Sequence, residues 1–107
     1  MKSILSIFLK NYKAGNSRQV YKRNISQFSD YFNVENIDGF KKITKDDVIY
    51  WIHKTIKKRY SRSTCYIRVS VLSMFYRFLK DKSYIKRNIM NSTVEELKAM
   101  IKKPRYF

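Results

Sequence analysis

Ser61-Arg-Ser-Thr-Cys-Tyr-Ile-Arg-Val-Ser-Val-Leu-Ser-Met-Phe-Tyr-Arg-Phe-Leu-Lys80 is the stretch that decides how the chain folds. Wound at 3.6 residues per turn, it gathers Cys65, Val69, Leu72, Phe75, Tyr76 and Leu79 on one face. Ile67, Val71, Met74 and Phe78 widen that face to well over half the circumference. A surface helix needs an apolar stripe only about 100° wide, so this segment predicts a helix at the centre of a bundle. What stays polar is a narrow strip: Arg62, Ser63, Tyr66, Ser70, Ser73, Arg77 and Lys80. Small hydroxyls between cations would let a phosphate backbone come close. The same strip is also what an ordinary solvated face looks like.

The chain of 107 residues is long enough for one core and not for two. A hydrophobic content of 44% and an aromatic content of 16% set it apart from a disordered basic tail. Two Gly and one Pro favour long helices over a turn-rich β architecture. The formal net charge of +16 costs self-repulsion and makes sense beside a polyanion, with nucleic acid first and anionic membrane second. Met1 to Lys10 faintly resembles a signal peptide, but its apolar run is short and no small-residue cleavage site follows. No run reaches the length that spans a bilayer. The single cysteine, Cys65, excludes an internal disulfide and a multi-Cys zinc site; its place on the apolar face makes it a core residue. The expected location is the cytoplasm.

Outward from the central segment, Ser3 to about Tyr12 predicts a first helix with Ile4, Leu5, Phe8, Leu9 and Tyr12 on one face, broken by Ala14-Gly-Asn16. Ser17 is a good N-cap for a second helix to about Phe32. Its apolar face holds Val20, Tyr21, Ile25, Phe28, Tyr31 and Phe32, and the opposite face Arg18, Gln19, Lys22, Arg23, Ser26 and Ser29. Asn33 to Lys42 reads as the longest connection. A third helix starts sharply at Thr44, with Asp46 and Asp47 in its first turn and Ile43 stapled onto Val48. It runs to about Arg59 and buries Val48, Ile49, Ile52, Ile56 and Tyr60. Trp51 seals a helix interface, and His53, the only histidine, points outward without a partner for metal or catalysis. The Lys57-Lys-Arg59 run suits a helix C-terminus in any case. After the central helix, the fourth, the turn from Asp81 to Asn88 returns Ile85 to the core. Ser92 or Thr93 opens a last helix with Glu95 and Glu96 in its first turn and Val94, Leu97, Met100 and Ile101 as its face. The sum is five helices and no credible strand.

No phosphate-binding glycine loop, dinucleotide fingerprint, zinc-protease helix or nucleophile elbow is present. No metal, cofactor or catalytic residue is expected. The binding alternatives are a stand-alone small basic phage or plasmid DNA-binding regulator, an RNA binder, and a peripheral membrane protein with basic amphipathic helices.

Four motifs in order add a resemblance. They are Ser17-Arg-Gln-Val-Tyr21-Lys-Arg-Asn24-Ile25-Ser-Gln-Phe28, Ile43-Thr44-Lys-Asp-Asp47-Val48, Ser61-Arg-Ser-Thr64 with Arg68-Val-Ser70-Val-Leu72, and Phe75-Tyr76-Arg-Phe78-Leu79. Together they resemble the core-binding domain, or SAM-like N-terminal domain, of tyrosine recombinases (the phage integrase family). Tyr21, Phe28, Thr44, Thr64, Leu72 and Leu79 stand at its characteristic positions, and the resemblance runs from about Ile7 to Pro104. It departs at Asn88-Ile89, where the family usually has Asn-Pro.

The resemblance implies an all-α, compact orthogonal bundle of four to five helices. It implies a core-binding DNA-binding domain over residues 1–101 and the start of a basic interdomain linker over 102–107, with Lys102, Lys103 and Arg105. In that family this domain is one half of a clamp around double-stranded DNA. The other half is a C-terminal catalytic domain, expected to be absent here, which cuts DNA through a 3′-phosphotyrosyl intermediate alongside other recombinase protomers. By the same resemblance the second and fourth helices face the major groove. Arg18, Lys22 and Arg23 on the second, and Arg62, Ser63, Thr64, Tyr66, Ser70 and Arg77 on the fourth, are the implied DNA contacts. Arg68 points to the apolar side and either snorkels or pairs internally there, or reaches DNA.

Overall fold

Six helices make up the computed structural model, which describes residues 2–12, 15–58 and 60–102. They are α1 (Lys2–Leu9), α2 (Asn16–Tyr31), α3 (Ile37–Lys42), α4 (Lys45–Lys57), α5 (Arg62–Asp81) and α6 (Val94–Lys102), with no strand among the described residues. The expected fourth helix is therefore α5, because the connection after α2 contains a helix of its own. Asn36 starts it by accepting the Asp38 N–H at 3.0 Å. Gly39 lets the loop before it close up: a Cβ there would lie 2.8 Å from Val34 Cγ1. Six residues are too few to show a helical period.

The central segment behaves as its apolar breadth requires. Nine of its residues are buried, among them Cys65, Val69, Leu72, Phe75, Tyr76 and Leu79, and α2, α4 and α6 all pack on it. Phe8 of α1 meets Phe75 edge-on at 5.2 Å, Phe40 of α3 meets it at 5.1 Å, and Phe28 of α2 lies 6.3 Å from Tyr76. Ile67, expected at the edge of this face, is 43% exposed. The radius of gyration is 13.7 Å, close to the roughly 13 Å of a compact domain of this length.

The helix starts follow the sequence in two cases and depart from it in two. Thr44 Oγ1 accepts the Asp47 N–H at 3.2 Å while the Asp47 carboxylate accepts the Thr44 N–H at 2.9 Å, a complete capping box. Ser61 caps α5 by accepting from Thr64 N at 3.1 Å. Ser17, by contrast, is not a cap: α2 starts one residue before it, behind Gly15 at φ 144°. Thr93 does not cap α6 either, because its hydroxyl bonds back to the Ile89 carbonyl at 2.6 Å. The Asn88-Ile89 turn is built by Asn88, whose side-chain oxygen accepts the Met90 N–H at 2.9 Å and whose amide reaches Asn91. α4 ends at Lys57, short of the expected end, so Tyr60 leaves the core and is 42% exposed. Its buried face turns towards Trp51 and Thr55, with Ile49 and Ile56 only partly covered. Tyr31 is also on the surface, with Lys54 Nζ 5.5 Å above its ring. The expected boundary at 101/102 falls inside α6, and Lys103 and Arg105 lie outside the described residues, as does Arg59.

Leu72 and Ile67 separate the buried and exposed sides of α5. Leu72→Ala should lower the unfolding free energy by about 2–5 kcal/mol, whereas Ile67→Ala should change it by no more than about 0.5 kcal/mol. Urea titrations followed by circular dichroism would show whether the face is oriented this way.

Candidate nucleic-acid interface

Residues 1–29 carry six cations and residues 48–80 eight, with no carboxylate in either stretch. α2 up to Asp30 and α5 up to Asp81 are thus stripped of negative charge, and five of the eight acidic residues sit in α3 and at the starts of α4 and α6. There they answer helix N-termini or nearby lysines, as in the Lys45–Glu96 pair at 3.1 Å and the Lys41–Asp38 pair at 3.5 Å. A helix pair with one sign of charge projects a field that surface pairing does not cancel.

On α5 the expected strip lies where the sequence put it. Arg62, Ser63, Ser70 and Arg77 are exposed, and Thr64, Tyr66 and Ser73 are half-buried at its margins. From Arg62 to Arg77 is fifteen residues, which a helix spans in about 22 Å. Thr64 is partly engaged locally, its hydroxyl 2.9 Å from the Ser61 hydroxyl. Ser61 also takes the Thr64 and Cys65 N–H groups, so two amides at this helix start already have acceptors.

The α2 residues divide. Lys22 and Arg23 are exposed. Arg18 is not simply on the surface: its Nε donates to the Leu9 carbonyl at 2.9 Å and so closes the C-terminal end of α1. With Lys10, Gln19 and Lys22 it lines a shallow groove of about 420 Å³. Ser29, counted with the polar face in the sequence, is buried and bonds to the Ile25 carbonyl at 2.9 Å. The α1 end also brings α5 near α2. The Tyr12 and Tyr21 rings meet at 4.9 Å. Burial and the Tyr21 hydroxyl raise the Tyr12 pKa while the Arg77 charge pulls it down. The Arg77 charge thus acts on Tyr12 at the α1 end, while Lys10, Arg18 and Lys22 line their own groove beside it.

Arg68 resolves inward. It is 8% exposed, the one buried charge among the described residues, and its guanidinium lies over the Trp51 ring at 4.8 Å and the Tyr60 ring at 5.1 Å. Its Nη2 donates to Gln27 Oε1 on α2 at 3.0 Å, and its Nε has no partner. Burial lowers its pKa, with the Tyr60 and Cys65 side chains acting the other way. Sequence spacing gave no sign of Gln27, because its partner lies 41 residues away.

Elsewhere, Lys41, Lys45, Lys86 and Arg87 surround a cleft of about 950 Å³ that no carboxylate lines. Tyr76 lines it too; its hydroxyl is buried without a hydrogen-bond partner, and burial drives the pKa far up. The positive field therefore extends beyond α2 and α5. His53 is exposed. Among the described residues no group of His, Cys, Asp and Glu is placed to hold a metal ion, and no helix is long and apolar enough to cross a membrane.

Arg18 has a structural bond that Lys22 and Arg23 lack. Arg18→Met should cost about 1 kcal/mol of stability by freeing the Leu9 carbonyl, while Lys22→Met and Arg23→Met should stay within about 0.5 kcal/mol of the parent. Thermal melts of the three single variants are the check.

The family model described as phage integrase, N-terminal SAM-like domain, matches residues 6–83. The chain is 33% identical over 79 residues to tyrosine recombinase XerC of Bacillus pumilus (strain SAFR-032), a match covering 74% of this chain and 26% of the relative. It is 28% identical over 98 residues to tyrosine recombinase XerC of Listeria welshimeri, covering 92% of this chain and 32% of the relative. The matches thus span about a quarter to a third of the relatives' length. No solved structure matches the chain significantly. With its all-helical bundle, its capping box at Thr44 and a family match over most of its length, the chain belongs to the phage integrase N-terminal SAM-like domain family.

Proposed function

We propose that this domain is the DNA-binding half of a site-specific tyrosine recombinase and holds the crossover-site duplex against α2 and α5. The observation that carries the reading is the strip of α5 in which Arg62, Ser63, Ser70 and Arg77 are exposed and Tyr66 is half-buried beside them, on a helix without a carboxylate before Asp81. Hydroxyls between cations allow close approach of phosphates, and the arginines supply charge-assisted bonds to them. Lys22, Arg23 and the partly committed Arg18 extend that surface from α2, and Thr64 completes it at the start of α5. The relatives' name, tyrosine recombinase, supports the DNA partner.

In such a protein, strand cleavage through a 3′-phosphotyrosyl intermediate belongs to a C-terminal catalytic domain, and other protomers share the duplex. The domain's own task is positioning. Phosphate contacts fix register and orientation, and most of the affinity comes from counterion release. A DNA-associated role in a bacterial or phage-encoded cytoplasmic protein follows from the same reading.

Anisotropy of a labelled duplex of about 30 base pairs, titrated at several salt concentrations, tests this. About five neutralised phosphates should give a log–log salt slope of roughly −4 to −5. Arg62→Glu/Arg77→Glu and Lys22→Glu/Arg23→Glu should each weaken binding strongly. Lys57→Glu/Lys58→Glu and Lys86→Glu/Arg87→Glu should cost much less. Equal losses from all four pairs would mean a diffuse field and no defined interface.

A further inference from the structure

Arg68 is an uneconomical residue in its place. A buried guanidinium without a carboxylate is costly, and well-packed apolar side chains of similar volume in place of buried ionic groups often leave a fold as stable or more so. No carboxylate pairs with Arg68 among the described residues; its only hydrogen bond goes to the neutral amide of Gln27 at 3.0 Å. Two rings hold the guanidinium in place, Trp51 at 4.8 Å and Tyr60 at 5.1 Å. A rigid, framed donor that ends on a single amide is a device for orienting that amide.

The orientation follows from chemistry. A guanidinium can only donate, so the atom facing Arg68 Nη2 has to be the Gln27 oxygen. An amide whose oxygen is turned inward presents its NH₂ on the other side. Gln27 is exposed, and among the described residues nothing accepts from its Nε2. It stands one helical turn after Arg23 on α2, where α2 meets α5. A free glutamine would swing and flip, offering either end. This one is held as a donor.

We propose that Gln27 reads a base edge of the bound duplex as a fixed hydrogen-bond donor, and that Arg68 is the positioning residue that holds it so. The inference rests on the reading of α2 and α5 as the DNA surface. In the major groove the acceptors are guanine O6 and N7, adenine N7 and thymine O4, whereas cytosine presents its N4 amino donor. A donor-only side chain therefore tolerates G, A or T beneath it and disfavours C. Phosphate contacts cannot supply that discrimination.

Selection from a randomised duplex pool, followed by anisotropy on the selected site and its single-base variants, tests the assignment. The parent domain should show one position at which cytosine binds roughly fivefold or more weaker. Gln27→Ala and Arg68→Met should each erase that preference while leaving the salt slope unchanged, and the double variant should lose no more than either single one. Gln27→Glu offers an acceptor in place of the donor and should bind less tightly overall, with the preference turned towards cytosine. If Arg68→Met fails to fold in a thermal melt, the two Gln27 variants decide alone. An unchanged preference in those variants overturns the proposal. So does a uniform loss across all sequences in Arg68→Met with the slope reduced by about one, which would make Arg68 itself a phosphate contact. If reversing Lys22/Arg23 and Arg62/Arg77 leaves binding intact, the DNA surface is wrong. If those reversals weaken binding while Gln27 is silent, only the base-reading assignment falls.

Discussion

The fold depends on the need to enclose α5. A helix apolar over most of its circumference cannot lie on a surface, and each other element is placed by what it lays against that helix. The aromatic pair Phe75 and Tyr76 shows the constraint most directly, because Phe8, Phe28 and Phe40 reach it from α1, α2 and α3. Three elements distant in sequence thereby converge on two neighbouring residues. The arrangement has a cost at Tyr76, whose hydroxyl is sealed in without a partner.

Enclosure also determines what is left over. Once α5 has been covered by its neighbours, the strip through Ser63, Ser70 and Arg77 remains in water, with Ile67 and the two ends of the helix. A bundle has to sequester the apolar sides of its helices and can leave their polar sides wherever the geometry permits. Here the two helices with the longest carboxylate-free runs also pack on each other, with Arg68 of α5 bonded to Gln27 of α2. The same packing that stabilises the domain thus brings its positive charge together. In a chain of net charge +16, that concentration is repulsive and is relieved by a polyanion.

Periodicity and capping chemistry made much of this legible. The central position of α5 follows from its apolar breadth, and the start of α4 follows from Thr44 and Asp47. What stayed hidden has definite physical causes. α3 is too short to have a period and rests on Asn36 and on the missing Cβ of Gly39. Tyr60 leaves the core because α4 stops about two residues early, where no glycine or proline marks an end. Arg18 looked like a free surface cation, and only the approach of α1 gives it a carbonyl to bond. The Gln27–Arg68 bond could not have been found at all from spacing, since it is a contact across the fold. Local rules describe single helices well and are silent on what two helices do to each other.

Cys65 adds a consequence of a kinetic kind. Its sulfur is wholly buried on the helix that everything else encloses, and it is the only thiol in the chain. Cys65 stands in the first turn of that helix, so reagent reaches the thiol only through an opening of the structure around the start of α5. The modification rate therefore follows the population of molecules in which that turn is uncovered. The protein carries an intrinsic probe of that opening, readable under native conditions and in the presence of any ligand that holds the bundle together.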